Sequence, residues 1–169
     1  SEMKPTYLEN MRFFSDYQVS FMYWRYFMWN FSGRQNDMQS YGEIEKGNWI
    51  TGIQPIDNWL VGDQTNLPTE LKDNKGHNTY FLLPFLLGIL GMFFLLNTGK
   101  KGSHTFWVTG LLFVMTGFAI VVYLNQTPYQ PRERDYAYAG SFYAFSIWIG
   151  LGVLGVIQLL NKVLSKRLS

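Results

Sequence analysis

Four charges stand in a row within the stretch TPYQPRERDYAYAG: Arg132, Glu133, Arg134 and Asp135. Pro128 and Pro131 stiffen the approach, and Tyr129, Tyr136 and Tyr138 supply rings suited to a membrane interface. Long charge-free runs lie on both sides. A guanidinium held at headgroup depth can grip a phosphate through two parallel N–H bonds. Arg132 and Arg134 are therefore candidate ligands for an anionic lipid headgroup. The plain alternative is a solvated turn in which the arginines pair with the acids. Exposed pairs of that kind contribute only about 0–1 kcal/mol.

Three further charges belong to the same list of candidates. Arg25 and Arg34 flank the aromatic end of an N-terminal helix, and Asp37 follows in GRQND. Their plain readings are a snorkelling arginine and a turn closed by an Arg34–Asp37 pair. Signatures of soluble catalysis are missing: there is no G-x-S-x-G, no P-loop, no H-E-x-x-H and no Gly-rich dinucleotide turn. His77 and His104 fall on opposite sides of the first apolar run, so they share no metal. No cofactor is expected, and a divalent metal is left open.

Composition places these charges in a membrane setting. Charged residues are 15 %, against roughly 25 % in soluble domains. Residues 1–79 carry ten acids and seven Lys or Arg, and residues 80–169 carry two acids and seven Lys or Arg. The basic residues are too scattered for a phosphate-backbone surface, so nucleic acid is not an expected partner. There is no cysteine, hence no disulfide frame and no thiolate metal site. The chain opens SEMKPTYLEN, without an initiator Met or a signal peptide, which suggests a piece of something longer.

The elements that must position the charges are helices. Three charge-free runs follow residue 79, at about 80–96, 105–124 and 141–160. About 20 residues cross a core of roughly 30 Å, so the second and third suffice outright and the first is short. Gly152 and Gly155 are expected to face a neighbouring helix. Upstream, Thr6 and Glu9 form a capping box, Gly33 is a stop, and Arg12, Asp16 and Ser20 recur as a polar stripe. This predicts a helix over about 7–31, interfacial or tucked against the bundle. Residues 33–78 read as a long polar loop, with a helical turn opened by Pro68 and with Trp49, Ile50, Ile53, Ile56, Trp59 and Leu60 packed back on the helices. The expected fold class is thus an all-α membrane protein, with residues 1–79 and 80–169 as its two regions. Lys100, Lys101, Lys162, Lys166 and Arg167 are placed in the cytoplasm, and residues 1–79 and 125–140 outside it.

The segments YWRYFMWNFSGRQND, GNWITGI and TPYQPRERDYAYAGSFYAF, with NLP before the first run, resemble a family of large bacterial multi-pass proteins related to the GT-C glycosyltransferases, which include protein O-mannosyltransferases. The resemblance covers most of the chain. It implies a bacterial inner-membrane location, a polyprenyl-phosphate-linked sugar donor, and further helices of a longer parent packed on this bundle. It also implies a catalytic carboxylate in an outer loop upstream, so this segment would be inactive alone. No catalytic residue carries over. Arg132 and Arg134 would stabilise the departing phosphate, while Glu133, Asp135 and Asp37 would position them or contact sugar. The rival expectation is a non-catalytic membrane scaffold or assembly subunit whose outer loop binds a partner protein.

Overall fold

A computed structural model describes residues 4–63, 66–128 and 134–168. It is mostly helical. The first helical stretch runs unbroken through α1 (Tyr7–Arg12), a π-helical segment (Phe13–Trp24) and α2 (Arg25–Phe31). Its start is the expected capping box: the Thr6 N–H donates to Glu9 Oε2 at 2.7 Å, and the Glu9 N–H donates to Thr6 Oγ1 at 3.4 Å. Along the middle segment the winding widens, so that the Arg25 N–H donates to the Ser20 carbonyl five residues back. The stretch ends at Gly33, whose φ is +153° and where a Cβ would meet the Asn78 carbonyl oxygen at 2.7 Å and that of Ile50 at 2.9 Å. Only glycine suits that backbone and that gap.

The polar stripe leads one to expect a helix with two faces, but this one divides along its length. Residues 7–12 are exposed all round, with Tyr7 and Leu8 nearly bare, whereas Met22, Tyr23 and every residue from Arg25 to Trp29 are buried. The buried end lies across the near ends of three apolar elements: α5 (Leu83–Asn97), the α6–α7 pair (Gly99–Thr116 and Phe118–Leu124) and α8 (Ala139–Leu168). A short 3-10 turn, Asp135–Tyr138, leads into α8.

The apolar helices do not start where their hydrophobic runs start. The link NTGKKGSH is not a loop. Thr98 alone separates α5 from α6, and Lys100 and Lys101 lie in the first turn of α6. Gly99, at φ +79°, reverses the chain in one step. Gly102 lies so close to the Leu95 carbonyl that the two helix ends touch backbone to backbone. A hydrophobic run marks where lipid-compatible surface begins, and a helix can begin well before it.

Two stretches are long and apolar enough to cross a membrane: Gly99–Leu124, of 26 residues, and Asp135–Ser165, of 31. Only 17 % and 28 % of their apolar windows are buried within the chain, so most of that surface, Trp107, Leu111 and Val122 included, has no cover among the described residues. At 15 residues α5 rises about 22 Å, short of a hydrocarbon core of roughly 30 Å. It begins after a strained turn, with Phe81 at φ 52° and Leu82 at φ 58°, and Pro84 occupies its first turn as expected.

Helices α5 and α8 meet through glycine. Gly88 lies under the Phe145 ring, Gly91 against the Trp148 carbonyl, and Gly152 against the Leu87 carbonyl. Gly155 faces Phe94, where a Cβ would sit 3.2 Å from the Phe94 Cβ. Such approaches are the packing mode of membrane helices, where dispersion and not water exclusion holds elements together. Gly150, two residues before Gly152 on α8, has nothing within 4 Å.

Between α2 and α5 the chain forms a folded cap. Two short strands, β1 (Gly33–Arg34) and β2 (Asn78–Thr79), pair antiparallel, and Arg34 also bridges to Trp49. Two helices that the loop reading left partly unseen are α3 (Gln54–Val61) and α4 (Thr69–Lys72), the latter opened by Pro68 as expected. Ile50 is buried and Trp49 packs on the core, but Ile53 and Trp59 point outward, Trp59 with 83 % of its surface exposed.

The glycine contacts generate a paired test. Gly152→Ala should destabilise the chain in detergent by about 1–3 kcal/mol, since a backbone carbonyl must move. Gly150→Ala, on the same helix and in open space, should be neutral or stabilise by up to about 1 kcal/mol through helix propensity. Thermal unfolding of both variants measures the difference.

Candidate functional site

Arg132 and Glu133 lie outside the described residues. Arg134 and Asp135, the other half of the charge row, are exposed at the start of the 3-10 turn. The Arg134 carbonyl accepts the Ala137 N–H at 3.1 Å, and no described partner pairs with either side chain. Arg12 and Asp16 pair at 3.4 Å, whereas the expected Arg34–Asp37 pair is not formed. Asp37 is exposed and lies instead against Gly76.

What the structure does bring together is Arg25 and Arg34, on one indole ring. The Arg34 guanidinium carbon lies 4.3 Å from the centre of Trp29, and that of Arg25 lies 5.3 Å away. Arg25 also covers Phe21 at 4.1 Å and Tyr26 at 4.6 Å. Phe13, Tyr17, Phe21, Arg25 and Trp29 are each four residues apart, and the rings stack in sequence, at 5.2 Å for Phe13–Tyr17 and 5.7 Å for Tyr17–Phe21. The result is one aromatic column with Arg25 set between Phe21 and Trp29 and Arg34 on its last ring. That spacing is plain in the sequence, where Arg25 stood as a candidate headgroup ligand with snorkelling as its plain alternative.

The two cations sit in different states. Arg25 is 3 % exposed and tied down. Its Nη1 donates to the Gly47 carbonyl at 3.0 Å and its Nε to the Phe21 carbonyl at 3.2 Å. A Cβ at Gly47 would stand 2.6 Å from the Met38 carbonyl oxygen and 3.2 Å from Arg25 Nη1. Arg25 thus pins the cap to the helix. Arg34 is half-buried, and its Nε is sealed from solvent without a hydrogen-bond partner. The Trp29 indole N–H and the Tyr26 hydroxyl are likewise buried and unpartnered, as are the Gln126 amide and the Trp148 indole N–H elsewhere in the bundle. Arg34, Trp29 and Tyr26 can all donate, and one carries a positive charge. Buried polar groups are rarely left so, and each of these three is a donor that an acceptor would satisfy.

The cap that holds this cluster is built from side-chain amides and one carboxylate. Asn36 Oδ1 accepts the Gly47 N–H at 2.7 Å, and Asn36 Nδ2 donates to the Glu45 carbonyl at 2.8 Å. Asn48 Nδ2 donates to the Glu43 carbonyl at 2.8 Å. The buried Asp57 accepts from the Thr51 N–H at 2.7 Å, the Thr51 hydroxyl at 2.8 Å and the Gly52 N–H at 2.8 Å. Its capacity is used by the fold. At the rim, Glu43 accepts the Tyr41 N–H at 2.7 Å, which holds its carboxyl below the usual carboxylate range. Among the described residues no three His, Asp or Glu side chains are grouped to hold a metal ion.

The contrast between the two arginines is measurable. Arg25→Met should cost about 1.5–3 kcal/mol, the worth of hydrogen bonds from a charged group, and should speed hydrogen exchange across residues 36–48. Arg34→Met should cost about 1 kcal/mol or less, since it removes only a stacked cation. Equal losses in unfolding and exchange would make Arg34 a second structural tie.

No family model, curated protein or solved structure matches the chain.

Proposed function

We propose that the chain is a membrane-embedded part of a GT-C-like glycosyltransferase, and that its cap holds the phosphate of a polyprenyl-linked sugar donor. The observation that carries this reading is the trio of unpartnered donors around Trp29, with Arg34 as its cation. It is supported by the membrane-length helices, whose apolar surface is largely uncovered. On this reading α5 completes the membrane region as a short third span, and the helix over 7–31 lies at the headgroup level with the cap on the non-cytoplasmic side. A phosphate at that depth meets low dielectric on one side and fixed donors on the other. Charge leaving with the donor phosphate is stabilised there. The carboxylate acting as base on the acceptor hydroxyl belongs to a part of the enzyme outside this chain. Arg132 and Arg134 are further phosphate ligands on this reading, with Glu133, Asp135 and Asp37 in supporting positions.

One observation favours the rival reading, a scaffold that docks a partner protein. Trp59 is 83 % exposed on α3, and Ile44 and Tyr41 stand out nearby in sequence at 64 % and 57 %. Exposed aromatic and aliphatic side chains of this kind serve well as interface anchors.

Donor affinity in detergent decides between the two. Arg34→Lys and Arg134→Lys keep the charge and lose the planar fork. If Arg34 and Arg134 both hold the donor phosphate, each should lose roughly 1.5–3 kcal/mol, on the order of tenfold to a hundredfold in affinity for a polyprenyl-phosphate sugar. Unchanged affinity in both folded variants, or no donor binding by the wild type, would sink the proposal and leave the scaffold.

A further inference from the structure

The far end of the bundle carries a second site, distant in sequence from the cap. Between α5 and α8 lies a cavity of about 670 Å³. From α5 it is lined by Leu90, Phe93, Phe94 and Asn97, and from α8 by Gly155, Val156, Gln158, Leu159 and Lys162. These positions repeat at three- and four-residue steps, so each helix gives one continuous face. At Gly155 the two helices pack closely, a Cβ there standing 3.2 Å from the Phe94 Cβ, and the groove opens beside that contact. The groove is apolar along Leu90, Phe93, Val156 and Leu159, and it turns polar at Asn97, Gln158 and Lys162.

Charge names the occupant. No acid occurs between Asp73 and Glu133 or after Asp135, so nothing on α5, α6 or the length of α8 neutralises Lys162. Lys100 and Lys101 lie in the first turn of α6, three and four residues past Asn97 on the groove's rim. A second copy of this chain would bring lysine to the same lysine. A fatty chain with an anionic head matches both parts, the apolar floor and the basic mouth. The volume falls within the usual range for small-molecule sites, about 300–1,000 Å³. We propose that this groove binds one anionic phospholipid, an acyl chain between Phe93 and Leu159 and the phosphate at Lys162. The proposal rests on the membrane reading of α5 and α8 and is independent of sugar transfer.

Native mass spectrometry of the detergent-purified chain provides the test, with phosphatidylglycerol and phosphatidylcholine of identical acyl chains. Wild type should retain one phosphatidylglycerol per chain and prefer it roughly fivefold, as one basic side chain at an anionic lipid surface supplies. Lys162→Gln, an exposed position, should abolish the preference while leaving weak binding of both lipids. Gly155→Phe should block both lipids, and Leu159→Trp offers the same block should the glycine variant fail to fold. Equal retention of the two lipids by wild type would overturn the proposal. So would an unchanged preference in Lys162→Gln, or a lipid-free dimer in place of the lipid complex. Because Arg34 lies in the cap, failure here and failure of donor binding are read separately.

Discussion

The ring of Phe27 is the point on which the rest of the structure hangs. It lies 4.8 Å from Phe145, 5.8 Å from Phe113, 6.1 Å from Phe142 and 6.3 Å from Phe85, so one side chain touches α5, α6 and α8 together. Most of these rings meet edge to face, the arrangement their quadrupoles favour. Tyr23, one turn earlier, repeats the contact at the end of the bundle, edge-on to Tyr138 at 5.4 Å and donating to Ser141 Oγ at 3.1 Å. Burial beside the apolar helices pushes the Tyr23 phenol up to about 12, opposed by its Ser141 hydrogen bond, so it stays neutral across the physiological range. Once α2 is seated by these rings, Ser32 and Gly33 have no freedom. Ser32 donates to the Ile50 carbonyl at 2.8 Å, and its own carbonyl accepts the Tyr80 N–H at 2.8 Å. The cap is strung between those points.

The polar cap and the apolar bundle solve opposite problems. Among the apolar helices the main chain satisfies itself, and glycine lets α5 and α8 approach without side chains between them. The cap has little regular structure, so its backbone groups need side-chain partners. Asn36, Asn48 and Asp57 supply them, and Arg25 fastens the assembly to the aromatic column. Arg34 shares that column with its Nε unanswered. The candidate site thus lies at the joint between the two parts.

Much of this was legible in the residues. Thr6, Glu9 and Gly33 bounded the first helix because caps and stops act locally. Pro68 and Pro84 marked helix starts for the same reason. Gly152 read correctly as a packing position. Other features depended on tertiary contacts that no local pattern reports. Helix α6 reached back through Gly102 and both lysines because α5 was there to receive it. Helix α3 formed on Pro55 and Asp57, whose carboxylate serves Thr51 and Gly52 and not its own helix. The shared use of Trp29 by two arginines needed the β1 turn to bring Arg34 back over the helix.

If the seating of Phe27 organises the cap, loosening it must loosen the cap and spare the glycine-packed helices. Hydrogen exchange on Phe27→Ala in detergent measures this directly. Removing a buried phenyl ring costs about 3–5 kcal/mol. Exchange should then accelerate from Met22 through Gly52 together, while the amides of α5 and α8 around Gly91 and Gly152 keep their protection. Protection of residues 33–52 at the wild-type level, with exchange rising only in α2, would contradict the account.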